Sequence, residues 1–125
     1  MKDVVSRTVM IADDDPTTRS VLASIIKSLG HVLVRTTVDG ASTLTLCRAL
    51  RPDVLFLDIQ MPGLSGIEVM QALKSSNDEM AVVMITSNPT MEHVQAAIRL
   101  GVKAFVAKPF DATKISEAIA RCARS

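Results

Sequence analysis

Four points along the chain place polar residues directly after short apolar runs: the pair Asp13-Asp14, then Asp58, Thr86 and Lys108. Brought together, they would form a pocket of three carboxylates, a hydroxyl and an ammonium. Carboxylates in such company repel and raise one another's pKa. A hard divalent cation with oxygen ligands relieves that conflict. Magnesium suits a site with one or two carboxylates, a carbonyl and several waters, and it commonly carries phosphate. Lys108 supplies a mobile positive charge for a carboxylate or a phosphoryl oxygen, and Thr86 offers a hydroxyl donor. A carboxylate nucleophile, a metal, an ammonium and a hydroxyl are what phosphoryl transfer to an aspartate requires. The carboxylate attacks, and the cations neutralise charge on the equatorial oxygens.

Taken singly, each residue has a plainer reading. Acids after a strand are usually helix caps or solvated loop charge, and Asp15 reads as such a cap. A strand-end Asp is often a turn residue, and a lone Lys is most often surface charge. The weight lies in the ordered set, which depends on the elements that carry it. Val9–Ala12 is a short apolar run ending at Asp13, and Pro16 suits the first turn of a helix carrying Val21, Leu22, Ile25, Ile26 and Leu29, with Gly30 at its end. Val32–Thr36 reads as a second strand. Asp39 caps a helix with Leu44, Cys47 and Leu50, which Pro52 stops. Val54–Leu57 runs into Asp58, and the loop Gln60-Met61-Pro62-Gly63 leads to a helix with Ile67, Met70 and Leu73 as core. Ala81–Ile85 ends in Thr86. Asn88-Pro89 precedes a helix with Val94, Ala97, Ile98 and a terminal Gly101. Ala104–Ala107 ends at Lys108, and Asp111 caps a last helix with Ile115, Ala118, Ile119 and Cys122.

Buried, non-alternating strands between helices imply a parallel sheet covered on both faces, and the connections are right-handed. The fold class is α/β, a doubly wound (βα)5 sandwich with five parallel strands. In such a sheet the carboxyl ends of the strands lie along one edge, where sites form. Asp13, Asp14, Asp58, Thr86 and Lys108 are therefore expected to converge.

The 125 residues fit one domain, 1–125, and 48% hydrophobic content fills one core. Fourteen basic against 13 acidic residues leave a net charge of +1, which gives no reason to expect nucleic-acid or membrane binding. Cys47 and Cys122 stand in no metal or redox spacing and are expected to be reduced, half-buried helix residues. No signal core or membrane-spanning run is present, and a cytoplasmic location is expected. Trp and Tyr are absent, so stacking platforms for bases or flavins are scarce. His93 is expected in solvent on the fourth helix, and His31 at the start of the second strand.

The segments Met10-Ile11-Ala12-Asp13-Asp14-Asp15-Pro16, Leu55-Phe56-Leu57-Asp58-Ile59-Gln60-Met61-Pro62-Gly63-Leu64-Ser65-Gly66, Met84-Ile85-Thr86-Ser87 and Ala107-Lys108-Pro109-Phe110 resemble the receiver domains of two-component response regulators. The resemblance covers nearly the whole chain and implies strand order 2-1-3-4-5. It implies that Asp58 is the phosphoacceptor, as a 4-aspartylphosphate. Magnesium would be held by Asp14 directly, by Asp13 largely through water, by Asp58 and by the carbonyl of Gln60. Thr86 would be the switch hydroxyl, Lys108 the lysine that contacts the phosphoryl group, and Phe105 the aromatic switch residue. The Lys108-Pro109 bond would be cis. The donor would be a phosphohistidine on a histidine kinase or histidine phosphotransfer protein. The face of helix four, strand five and helix five would control a downstream effector or fused output domain. A phosphorylation-dependent dimer through that face is compatible with the resemblance but compelled by no charge pattern. Gln60 and Asn88 stand at positions that vary in the family and influence phosphoryl loss. The protein would be a switch that catalyses only its own phosphorylation and dephosphorylation, either free-standing or part of a longer regulator.

Three rivals fit less well. A phosphorylation-independent receiver-like interaction module would lack an acid, the Thr or the Lys. A flavodoxin-like cofactor binder would need a phosphate-cradling loop after the first strand, where this chain has three Asp. A dehalogenase-type hydrolase would resemble a pattern with a second Asp two positions after the nucleophile, and here that position is Gln60.

Overall fold

A computed structural model describes residues 5–76 and 80–122. Strands and helices alternate as the sequence implies: β1 (Thr8–Ala12), α1 (Pro16–Ser28), β2 (Val32–Thr37), α2 (Gly40–Leu50), β3 (Val54–Asp58), α3 (Gly66–Ser75), β4 (Ala81–Thr86), α4 (Met91–Arg99), β5 (Ala104–Ala107) and α5 (Ala112–Ala120). All strands are parallel, in one sheet of order β2-β1-β3-β4-β5. The order reverses beside β1, so the loops after β1 and β3 open side by side at the switch point of the sheet.

Alternation along the central strands divides the core in two. Val9, Ile11, Phe56, Val83 and Ile85 face α1 and α5, where Leu22, Ile26, Ile115 and Ile119 meet them. Met10, Ala12, Leu55, Leu57 and Met84 face the other helices, with Cys47, Val69, Leu73 and Ala97 as partners. Both cysteines are fully buried rather than half-buried.

The helix ends follow from their caps. The Asp15 carboxylate accepts the Thr17 N–H at 3.1 Å, and Asp39 accepts the Ser42 N–H at 2.7 Å. Ser65 and Glu68 close a capping box on α3. Gly66 opens that helix because nothing larger fits: a Cβ there would collide with the backbone of Asp58 and Ile59. Its N–H donates to the Ile59 carbonyl at 2.7 Å, which ties α3 to the end of β3.

Two expectations fail for one reason, the lack of a neighbour. β2 is an edge strand, and Val32 is 52% exposed rather than buried. Ile98 lies on the apolar spacing of α4 yet is 65% exposed, because only Ala97 of that helix is buried in the sheet packing.

Candidate functional site

The carboxyl ends of the strands bring the expected residues to one edge. Ala12 ends β1, so Asp13 and Asp14 open the loop to α1. Asp58 is the last residue of β3 and Thr86 the last of β4. Ala107 ends β5, and the Lys108 N–H donates to the Thr86 carbonyl at 2.8 Å, which fixes where the Lys side chain leaves the sheet. The Lys108-Pro109 peptide is cis.

Carboxylate oxygens of Asp13, Asp14 and Asp58 lie within 4.8 Å of one another. Asp13 and Asp58 are buried, and Asp14 is exposed. Lys108 Nζ sits 2.9 Å from Oδ2 of Asp13 and 3.5 Å from Oδ2 of Asp58. Oδ1 of Asp13 accepts the Asp15 N–H at 2.9 Å, and Oδ1 of Asp58 accepts the Gln60 N–H at 3.2 Å. Among the described residues, Oδ2 of Asp13 has the Lys108 ion pair but no well-directed hydrogen bond. That oxygen is held by the Lys108 ammonium, which it shares with Asp58.

Two buried acids share one lysine, and the electrostatics show it. Burial pushes the Asp58 carboxyl up to about 6, and the negative charge of Asp13 adds to the rise; Lys108 and the Gln60 N–H offset part of it. Burial works to lower the Lys108 pKa, but contact with Asp13 and the charge of Asp58 outweigh it, so the ammonium is held above its ordinary value. Asp15 differs. Its carboxylate caps α1, accepting from the Thr18 hydroxyl and the Thr17 N–H, and these bonds lower its pKa.

The donor set is suited to magnesium. All three side chains offer hard oxygens, the two buried carboxylates have one lysine between them, and the exposed Asp14 leaves room for water ligands. An open cleft of about 610 Å³ adjoins the acids, bordered by Asp14, Gln60, Met61 and His93 among others. His93 is therefore not a solvent residue as its helix position suggested. It is partly buried, and its Nδ1 is shielded with no hydrogen bond among the described residues. Thr86 is fully buried, and its hydroxyl accepts the Asn88 N–H at 3.1 Å. Phe105 is partly buried against the cluster around Met84, its register partner on β4.

Sequence reasoning missed Arg19. From α1 its Nη1 donates to the backbone carbonyl of Asp13 at 2.8 Å. Nothing local announces this, because a lone Arg on a helix reads as solvated charge. The α3 capping box was missed too, although Ser65 and Glu68 stand at the required spacing.

The family model of the response regulator receiver domain matches residues 9–120. Protein CcdB of Bacillus subtilis is 32% identical over 90% of this chain and 94% of its own length. The nitrogen assimilation regulatory protein NtrX of Azorhizobium caulinodans is 35% identical over 86% of the chain, which spans only 24% of that relative. Among solved structures, a CheX–CheY–BeF3–Mg2+ complex from Borrelia burgdorferi matches 90% of this chain and 85% of its own, with TM-score 0.85 and 27% identity. Receiver domains are signalling switches that bind Mg2+ at an acidic pocket and work between histidine kinases and output domains. The fold, the acidic edge and the match over residues 9–120 agree, and the chain belongs to the response regulator receiver domain family of two-component systems.

Proposed function

We propose that the chain is a phosphoacceptor switch in which Asp58 takes a phosphoryl group from a phosphohistidine donor. The observation that carries this reading is the sharing of Lys108 by two buried carboxylates beside an exposed third, at 2.9 and 3.5 Å. Asp58 attacks phosphorus through a carboxylate oxygen. The bond from phosphorus to the donor nitrogen breaks, and the departing imidazole takes up a proton. Asp14, Asp13, Asp58 and the Gln60 carbonyl would hold magnesium, which supplies charge neutralisation for the transferring group. Lys108 pairs with a phosphoryl oxygen, and Thr86 exchanges its bond with the Asn88 N–H for another oxygen. In hydrolysis, water attacks phosphorus and Asp58 leaves as the carboxylate, with Gln60 and Asn88 flanking the approach. The nucleophile is mostly ionised at neutral pH, since its pKa of about 6 lies below 7.

Readout follows from charge. An acyl phosphate adds about −1.5 to −2 charge to a site already rich in carboxylates. Inward movement of Thr86 frees space for Phe105, and the face of α4, β5 and α5 shifts. Met91 and Ile98, 70% and 65% exposed on α4, give that face apolar anchors for an effector or output domain. The Borrelia CheY structure, a complex with CheX, BeF3 and Mg2+, supports a partner that reads the phosphorylated state. The cytoplasm is the compartment such a donor implies, and no helix among the described residues is long and apolar enough to cross a membrane.

Intact mass after mixing with acetyl phosphate and magnesium tests the reading, with Asp58→Ala and magnesium-free controls. One added phosphoryl group, dependent on both, is the expected result. No gain from acetyl phosphate or a phosphotransfer donor, and no response to beryllofluoride, would leave a phosphorylation-independent interaction module.

A further inference from the structure

Asp14 is the exposed member of the acid cluster, and among the described residues no hydrogen bond fixes its carboxylate. Its direction is set instead by the peptides on either side. The following peptide is held by the Asp15 N–H, which donates to Oδ1 of the buried Asp13 at 2.9 Å. The Asp13 N–H is anchored on the Thr37 carbonyl at 3.1 Å. The carbonyl of the peptide that joins Asp13 to Asp14 accepts from Arg19 Nη1, on α1, at 2.8 Å. That helix starts at Pro16 and is fastened by Asp15, so Arg19 reaches back from a rigid element. The guanidinium thus directs a donor to the backbone carbonyl of the acid pair.

We propose that Arg19 is a positioning residue for metal binding: by fixing the peptide between Asp13 and Asp14, it aims the Asp14 carboxylate at the magnesium site. This inference rests on the metal reading above. Groups that orient metal ligands matter nearly as much as the ligands, and losing one weakens affinity by about 10–100-fold. A simple charge effect has the opposite sign. Removing a cation beside an anionic pocket lowers repulsion of Mg2+ and tightens binding.

Calorimetric titration of Mg2+ into the unphosphorylated protein separates the two. Arg19→Met keeps the apolar stem but removes donor and charge. Its Kd for Mg2+ should rise about tenfold. Arg19→Lys restores a donor and should recover most of the loss. In phosphorylation by acetyl phosphate, Arg19→Met should need about tenfold more Mg2+ for half-maximal rate, while the rate at saturating Mg2+ stays within about twofold. An unchanged or lower Kd in Arg19→Met overturns the proposal, as does a loss of rate that saturating Mg2+ does not restore. If Arg19→Met fails to unfold cooperatively, Arg19→Leu replaces it under the same criteria. Asp14→Asn is the control: normal Mg2+ binding there would mean the metal reading itself is wrong, and the role of Arg19 falls with it.

Discussion

At the amino edge of the sheet, Thr8 and Asp53 answer each other: the Thr8 N–H donates to Oδ2 of Asp53 at 2.9 Å, and the Asp53 N–H returns to the Thr8 hydroxyl at 2.9 Å. The Asp53 carbonyl accepts the Ala81 N–H, and Nδ1 of His31 accepts the Arg7 N–H at 3.1 Å. Arg7 also donates to the Cys122 carbonyl at 3.2 Å, joining the residue before β1 to the turn after α5. Each of these polar groups has a partner. At the carboxyl edge, two buried carboxylates compete for one lysine. One edge spends its polar groups on holding strands together. The other leaves them in conflict, which a cation can relieve. Incomplete satisfaction of buried polar groups is costly, so its concentration at one edge locates function there.

The largest expected effect inverts the usual penalty of a buried substitution. The Asp58 carboxyl rises from its ordinary 3.8 to about 6 on folding, so the folded state binds more protons between those values. Stability therefore falls as pH rises from about 4 to about 6 and stays low above that. The shift is worth at most about 3 kcal/mol. Asp58→Asn removes the charge, keeps an oxygen for the Gln60 N–H, and should gain about 2 kcal/mol at pH 7.5 in EDTA. The gain should vanish by pH 4 and shrink when magnesium is added to both proteins. Urea unfolding checks this, and a destabilised Asp58→Asn would mean that the carboxyl edge is not strained.

The amino edge should respond in the other direction. Asp53→Ala strips the acceptor from the Thr8 N–H and should lose about 1 kcal/mol at the same pH. Phosphorylation from acetyl phosphate should proceed at the wild-type rate, because Asp53 lies at the far end of β3 from Asp58. An equal loss of stability and of phosphorylation rate would erase the division of labour between the edges.

Much of this division was legible in the sequence. Apolar runs that stop at Asp13, Asp58, Thr86 and Lys108 fix both the strands and the edge where their polar ends meet. Strand order was not legible from periodicity, since parallel buried strands look alike; it came from the resemblance to receiver domains. Side-chain surroundings were harder still. Ile98 and His93 sit on one short helix, yet the apolar residue faces solvent and the polar one borders the cleft. Helical spacing gives a stripe, but only the packing angle of α4 decides which side of it is covered. Arg19 escaped because a long side chain acts beyond its own turn, on a carbonyl that sequence does not display.

The smallest effect tests whether the edges also differ in the sign of their pH response. Burial lowers the His31 pKa from its ordinary 6.5, and the nearby Arg7 charge adds to this. The folded state then binds fewer protons than the unfolded chain. Its contribution to stability is full above pH 6.5 and is lost as pH falls through the folded value. Protonation would also remove the acceptor that the Arg7 N–H uses. His31→Asn keeps an oxygen near the position of Nδ1 without a titrating group, so its stability should be flatter between pH 7.5 and 5. The comparison belongs in the Asp58→Asn background, because Asp58 imposes the opposite slope over part of that window. The difference should be smaller than the Asp53→Ala loss, since His31 remains partly exposed. Parallel urea midpoints for the single and double variants across this range would show that His31 does not couple the amino edge to pH.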